Sequence, residues 1–498
     1  MRKIILNFFL SFLFSTFLFA QDGSLDFSFG EEGVVEVNIP FGPLGYTNQK
    51  TIELADGSYI SYFQINMGSG SLGKNVLVKL LNNGDLDTSF GTDGFLDFPS
   101  LDRDFYYQEI WEMPNGKLLI SDLQRSGSLS SNVLRQLNSD GSIDVDFGTN
   151  GVVMPFSGKR LVKTEIDSNG RIIAVGGKPI SQGLGLQFKR YLSNGQIDTS
   201  FGVNGVANAT FANEALIVRD FKLLSDGSMF VASSIQNFNG AEDLLLITKH
   251  HPNGSLDLSF SQNGIVTSPL LFDYYNRVFL SVFDSEELIV SIVRIPGGTA
   301  NGYNVAYKLT NTGNLDTTFA TDGYLTANGI AEILIQSDQR FLRIVHDYGD
   351  PLLSPGGPFR IDRFFSNGIQ DSSLSFQTDP NAFYDFFIDY FVDSTGKILV
   401  TAPSNTLDIY RLSNNPLGIS ENTNNDLVIF PNPTNGLLTL SCSSCELTGT
   451  PYMIVDTIGR IIWNGVFKIN HPTIDISTLA TGMYYLKTNR DDIKFIKK

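Results

Sequence analysis

Seven aspartates return along the chain at nearly even intervals: Asp26, Asp87, Asp144, Asp198, Asp257, Asp316 and Asp371. One carboxylate per repeat could hold one cation per repeat, calcium foremost. Each ion would need several more oxygen ligands, however, and the neighbouring Ser and Thr hydroxyls are weak ones. The reading the local pattern favours is that each Asp accepts backbone N–H groups within its own turn, so no cofactor is expected. A second set pairs carboxylates with aromatic rings: Asp104 with Tyr106 and Tyr107, Asp273 with Tyr274 and Tyr275, Asp379 with Phe383 and Tyr384. Flat aromatic surfaces beside hydrogen-bonding carboxylates suit a sugar, and these nine residues are the candidate ligand-binding set; the competing reading is that the rings pack where a strand begins.

No catalytic residue is nominated. The four histidines, His250, His251, His346 and His471, show no metal spacing, and neither a Gly-x-Ser-x-Gly elbow nor a phosphate-binding glycine loop occurs. Some pair among the 52 acidic residues could still be brought together for glycoside hydrolysis. Cys442 and Cys445 form a Cys-x-x-Cys, but outside a thioredoxin-like pattern, and read as a local disulfide or idle thiols.

The elements that must position these residues follow from the repeat. Each Asp lies in a segment of the type Gly84-Asp85-Leu86-Asp87-Thr88-Ser89-Phe90-Gly91, with further copies from Gly23, Gly141, Gly195, Gly254, Gly313 and, in worn form, Gly368. Between copies stands an Asp-Gly or Asn-Gly pair before a short apolar run, as at Asp56-Gly57, Asn115-Gly116, Asn169-Gly170 and Asp226-Gly227, with looser versions at Ser285-Glu286, Asp338-Gln339 and Thr395-Gly396. Such pairs suit hairpins whose two central residues both take positive φ. Each repeat then holds four short antiparallel strands, and Phe29, Phe90, Phe147, Phe201, Phe260 and Phe319 are expected to pack between repeats.

Four strands in about fifty to sixty residues match a propeller blade, and radial closure protects sheet edges. The chain after residue 21 begins with a fourth strand (Val34 to Val37) lacking its first three, and the repeats stop after a third strand at Leu407 to Leu412. The two incomplete ends add up to one blade. An all-β, seven-bladed propeller is therefore expected, its ring closed by the N-terminal strand against residues 385 to 413, followed by a small C-terminal β-sandwich. Long, irregular connections (66 to 74, 176 to 186, 235 to 242, 296 to 304, 346 to 358) gather on one face, the usual place for function over a rigid scaffold.

Of the 498 residues 42% are hydrophobic, ample for a packed core, and the net charge of -17 disfavours nucleic acid and anionic membranes as partners. Arg2 and Lys3 precede an apolar run to Phe19 and then Ala20, which reads as a signal peptide over 1–20; cleavage is expected before Gln21, although Leu18 departs from the small-residue rule. No later apolar run has spanning length, so the mature chain is expected to have no transmembrane segment.

The repeats resemble the delta-60 repeat family of bacterial secreted proteins, which combines an Asp-Gly hairpin with a Gly-x-Leu-Asp-x-Ser-Phe-Gly segment. The resemblance covers residues 21–415; Ser261, Ala320 and the copy at Gly368 depart from it, and the family implies no general activity. After a polar linker over 416–424, residues 425–498 carry Phe430-Pro431-Asn432-Pro433, Asp456-Thr457-Ile458-Gly459-Arg460, Leu479-Ala480-Thr481-Gly482-Met483-Tyr484-Tyr485 and a basic end. These landmarks resemble the type A sorting domain of the type IX secretion system of Bacteroidetes. The resemblance implies entry into the periplasm, recognition by the secretion machinery, and release or attachment at the outer surface once the domain is removed. The expected protein is a non-enzymatic surface or released binding module for a glycan or a protein; the alternatives are a secreted polysaccharide-acting enzyme or a structural, adhesive surface protein.

Overall fold

The computed structural model describes residues 22–39, 49–65, 74–99, 109–126, 129–157, 163–177, 185–210, 216–235, 244–268, 270, 277–293, 303–328, 333–346, 358–374, 376–378, 388–403, 406–414, 427–442, 447–456, 461–469, 472–488 and 492–498. The chain forms two compact units, Met1–Asn414 and Asn415–Lys498. Every named element is a β-strand.

The first unit holds seven four-stranded antiparallel sheets among its described residues. The first comprises Gln49–Glu53, Tyr59–Ile65, Lys74–Leu80 and Phe95–Pro99, and five further sheets repeat that meander along the chain. The seventh takes Asp389–Val392, Ile398–Pro403 and Leu407–Leu412 from the end of the repeats and Val34–Val37 from their beginning. Val34 pairs with Tyr410 and Val37 with Leu407, and Gly23 N–H donates to Ser413 O at 2.8 Å. The N-terminal strand thus supplies the fourth strand that the C-terminal repeat lacks.

Each sheet buries apolar side chains against both neighbours. Phe29 and Val37 share a cluster with Phe63 and Leu407, joining the seventh sheet to the first. On the other side of the seventh, Val400 and Leu412 cluster with Ile344 and Ile361 of the sixth. Similar clusters join the first sheet to the second, and so on around to the sixth. This is a closed β-propeller. Phe29, Phe90, Phe147, Phe201, Phe260 and Phe319 are each at most 2% exposed and lie in or beside these clusters, so each ring is core rather than a ligand platform.

The hairpins within the sheets differ from the expected geometry. Positive φ falls only on the second residue of each pair: Gly57 (78°), Gly116 (75°), Gly170 (75°), Gly227 (86°), Glu286 (61°), Gln339 (66°) and Gly396 (85°). Asp56, Asn115 and Asp226 instead cap the turn with their side chains, as Asp56 Oδ1 does by accepting Ser58 N–H at 2.9 Å; in the third repeat Asp167, two residues before Asn169, accepts Arg171 N–H. The loop is a tight turn closed by one left-handed residue, with Leu54 N–H donating to Ser58 O and Gly57 N–H to Leu54 O.

The second unit is a two-sheet sandwich of seven described strands. Leu427–Phe430, Leu437–Cys442 and Thr473–Asp475 form one sheet; Ile461–Val466, Pro451–Asp456, Gly482–Thr488 and Asp492–Lys497 form the other. Leu438, Leu440 and Ile474 of the first meet Ile454, Leu486 and Phe495 of the second in a single core.

Candidate functional site

The repeated aspartates occupy equivalent places. Each backbone N–H donates to the residue near the end of the third strand: Asp87 to Lys79 O, Asp198 to Arg190 O, Asp316 to Lys308 O and Asp26 to Arg411 O, at 2.8–2.9 Å. Oδ1 accepts the backbone N–H two residues on, and in six copies also its hydroxyl, as with Ser200 at 3.0 and 2.6 Å from Asp198. In six of the seven copies Oδ2 faces a cation, as with Arg190 at 2.7 Å from Asp198, Lys117 at 2.7 Å from Asp144 and Arg363 at 2.8 Å from Asp371. For Asp26, burial alone would raise the pKa, but hydrogen bonds from Lys397 and Ser28 and the Arg411 charge carry it well below the usual carboxylate range. These oxygens are engaged by protein donors. Among the described residues no three His, Cys, Asp or Glu side chains converge as a metal site.

Side chains at this end of the third strand also reach the next sheet. Arg411 donates to Asn82 O at 2.6 Å, Gln136 in the equivalent place to Ser193 O at 3.1 Å, and Arg363 to Asn414 Oδ1 at 2.8 Å. Beside them, Gly30 N–H donates to Asn83 O and Gly148 N–H to Asn194 O; Ser261 and Ala320, which depart from glycine, keep both the bond and a positive φ. The nonapeptide is a latch between neighbouring sheets.

Asp104, Tyr106, Tyr107, Asp273, Tyr274, Tyr275, Asp379, Phe383 and Tyr384 all lie outside the described residues, as do the signal peptide, Cys445 and the linker. Most of these candidates stand just before the first strand of a sheet, and the first strands carry a constellation that the motif search missed. The first strands of neighbouring sheets pack on one another around the ring, Gln49–Glu53 against Ile110–Glu112 and Asp389–Val392, and Leu216–Leu223 against Lys163–Ile166 and Arg277–Val282. They therefore surround the propeller axis.

Six residues before each hairpin turn the chain places Lys50, Glu109, Lys163, Asp220, Phe279, Glu332 and Asp389, charged in all but one repeat; Glu332 is outside the described residues. Lys50 Nζ lies 2.9 Å from Asp389 Oδ1, and Lys163 Nζ lies 3.5 Å from Glu109 and 3.9 Å from Asp220. Asp389 and Asp220 also brace the ring, accepting the backbone N–H of Thr51 at 2.6 Å and of Leu280 at 2.7 Å from the next sheet. Burial pushes the Asp389 pKa up, with Lys50 opposing and Glu109 adding to the rise.

Two residues further on, on the same side of each strand, come Ile52, Trp111, Glu165, Lys222, Ser281, Leu334 and Phe391. The apolar members Leu334, Phe391, Ile52 and Trp111 belong to four consecutive sheets, and the polar members to the other three. All but Ser281 keep part of their surface exposed on these innermost strands, so solvent enters the axis at this level. Glu165 is pushed up to about 7, first by burial, then by Glu109 and Asp220, against the pull of Lys222 and Lys163. It retains some solvent contact, so the rise reflects enclosure within the ring rather than complete removal from water. The register of each charge relative to its turn is the signal that would have found this set.

Residues 428–498 match the secretion system C-terminal sorting domain, and residues 114–147 match a β-propeller domain of unknown function, DUF5122. No curated protein matches the chain. Among solved structures, PorZ, an essential surface component of the type-IX secretion system of Porphyromonas gingivalis, matches with 12% identity and TM-score 0.38 over 92% of this chain and 60% of its own. Prolyl oligopeptidase B from Galerina marginata matches with 12% identity and TM-score 0.38 over 81% and 56%. The chain thus spans less than two thirds of the length of either. The β-propeller domain of the Trilobed protease from Pyrococcus furiosus matches with 8% identity and TM-score 0.38 over 75% and 95%. The C-terminal unit is a type IX sorting domain, which directs export to the cell surface or the extracellular space.

Proposed function

We propose that this chain, a repeat β-propeller sent out of the cell by a type IX sorting domain, is a binding module that takes a glycan or a protein at the axial mouth. The observation that carries the reading is the inner ring, where charged side chains from successive first strands pair across the sheets and Trp111 and Phe391 stand partly exposed on the same set of strands. The segments leading into those strands carry the Asp and Tyr pairs, so the candidate rings and the charged ring belong to the same stretches of chain. Sites that combine a few placed polar groups with apolar and aromatic walls suit small ligands and protruding side chains.

The test is binding of the mature chain to a broad glycan array and to surface proteins of the producing cell, with Tyr106, Tyr107, Tyr274 and Tyr275 replaced together by Ala. The expected result is saturable binding that the fourfold replacement removes while the melting temperature holds; unchanged binding would overturn this placement of the site.

A second reading has one observation in its favour. Glu165, with its pKa raised to about 7, stands near Asp220 and Glu109, and glycoside cleavage calls for a pair of carboxyl groups, one of them an acid with a raised pKa. A polysaccharide-acting enzyme is the alternative, and it is distinguished by product formation.

A further inference from the structure

We infer that the export machinery docks on the sorting domain by strand addition, an extended segment of the partner pairing with the open edge Ile461–Val466. The inference goes beyond the binding-module reading and stands on the export role of this unit. The four-stranded sheet of the sandwich ends in two edges, and they differ. Along Asp492–Lys497 the chain covers its own edge. Asn432 Oδ1 accepts Ile496 N–H at 3.0 Å, and its Nδ2 donates to Lys494 O at 2.9 Å. Thr434 N–H donates to Ile496 O, and Thr434 O accepts Lys498 N–H, both at 2.9 Å. Ile461–Val466 pairs only with Pro451–Asp456, and among the described residues no partner lies on its outer side.

The phase of that edge follows from one bond. Phe467 N–H donates inward to Thr450 O at 3.0 Å. In an antiparallel ladder both backbone groups of a residue point to one side and the sides alternate, so Asn464 and Val466 turn N–H and C=O to the open side. Ile462, Trp463 and Val466 are 39–54% exposed. The strand holds neither a charge nor a proline, the devices that blunt an edge against pairing. In the other sheet Leu427–Phe430 runs straight into Pro431 and Pro433, and Thr473–Asp475 has three residues and ends on a carboxylate. A bare apolar edge is a template for a strand from another chain, with main-chain bonds for affinity and alternate side chains for specificity. A second copy is a poor occupant. The register shift between Ile454 and Val455 interrupts the strand before Trp463, and a self-paired ladder over Trp463–Val466 falls short of the roughly 1,000 Å² a stable interface needs. A factor that reads the sorting domain can add contacts beyond the strand.

The full chain is expressed in a cell with a type IX system, and its extracellular and periplasmic fractions are quantified. Asn464→Ala removes the side chain and keeps the outward N–H; Asn464→Pro removes the N–H, at an edge position where proline is tolerated. Export of Asn464→Pro is expected to fall at least about tenfold, with folded chain left in the periplasm, while Asn464→Ala is exported as wild type. Val466→Lys places a charge on the edge without removing a ladder bond, and the same fall is expected; it decides the matter if Asn464→Pro does not fold. A photo-crosslinker at Val466 is expected to capture a component whose deletion stops export of the wild-type chain. Equal export of Asn464→Pro and Asn464→Ala, wild-type export of a Val466→Lys protein that melts cooperatively, or a crosslink to a second copy alone would overturn the inference.

Discussion

Arg363 has no exposed surface and donates to four side chains: Asp371 at 2.8 Å, Asn414 at 2.8 Å, Asp22 at 2.6 Å and Ser373 at 2.7 Å. It ties the first described residue of the propeller and the last to the sixth sheet. Replacing it with Met takes one cation from partly buried Asp22 and one from buried Asp371, which keeps Arg340, and a loss of about 3 kcal/mol, the lower end for a broken buried pair, is expected in urea unfolding. Two titratable groups give opposite pH signatures. His250, fully buried with Thr248 at 2.9 Å and Gly254 O at 3.3 Å, has its pKa lowered to about 4 by burial. The unfolded chain then binds the extra proton first, so stability falls as pH drops from about 6.5 to 4, and His250→Gln should flatten that slope. Glu165 is raised to about 7, so its contribution is lost as pH rises from the ordinary carboxylate range through 7. Glu165→Gln should therefore be about 1–3 kcal/mol more stable than wild type at pH 8 and little different at pH 4, measured by urea melts at both pH values.

At the scale of elements, two glycines with nearly the same backbone make a direct comparison. Gly116 (φ 75°) has nothing within 4 Å of an added Cβ, whereas at Gly195 (φ 80°) a Cβ would lie 2.7 Å from Gly148 N and 2.8 Å from Val153. Gly116→Ala should cost about 1 kcal/mol, the backbone term alone; Gly195→Ala should cost at least about 2 kcal/mol, because it also wedges apart two sheets. Chemical denaturation of the two variants tests the latch. The strands and their closure are legible in the sequence because turn residues recur at fixed offsets and because a fourth strand without its first three demands a partner. The positive-φ expectation is half wrong: Asp56, Asn115 and Asp226 are placed before glycine for their capping oxygen, and a pair such as Asp-Gly looks the same in sequence whichever residue is left-handed. The inner ring escapes a motif search because its members share no residue type. Lys50, Glu109, Lys163 and Asp220 alternate in sign, so only their register marks them as one set, and only the packing of first strand on first strand brings them together.

The whole molecule separates address from activity. The sandwich of residues 428–498 carries the export signal, and removing it should leave the propeller folded but confined to the periplasm, as fractionation of cells expressing the truncated chain would show. The propeller has one face of short, uniform turns locked by latches, and inner strands whose charges meet at the axis. Its sorting domain could be recognised from landmark residues because they lie together in one contiguous stretch, whereas a binding site made of single residues from many repeats leaves no contiguous motif. The central claim is that the exported propeller holds its ligand without transforming it. Mass analysis of a glycan captured from the array and kept with excess mature protein tests this most directly. The account predicts a ligand recovered at unchanged mass after saturable binding; shortened products that disappear in Glu165→Gln would contradict it and establish the enzyme reading.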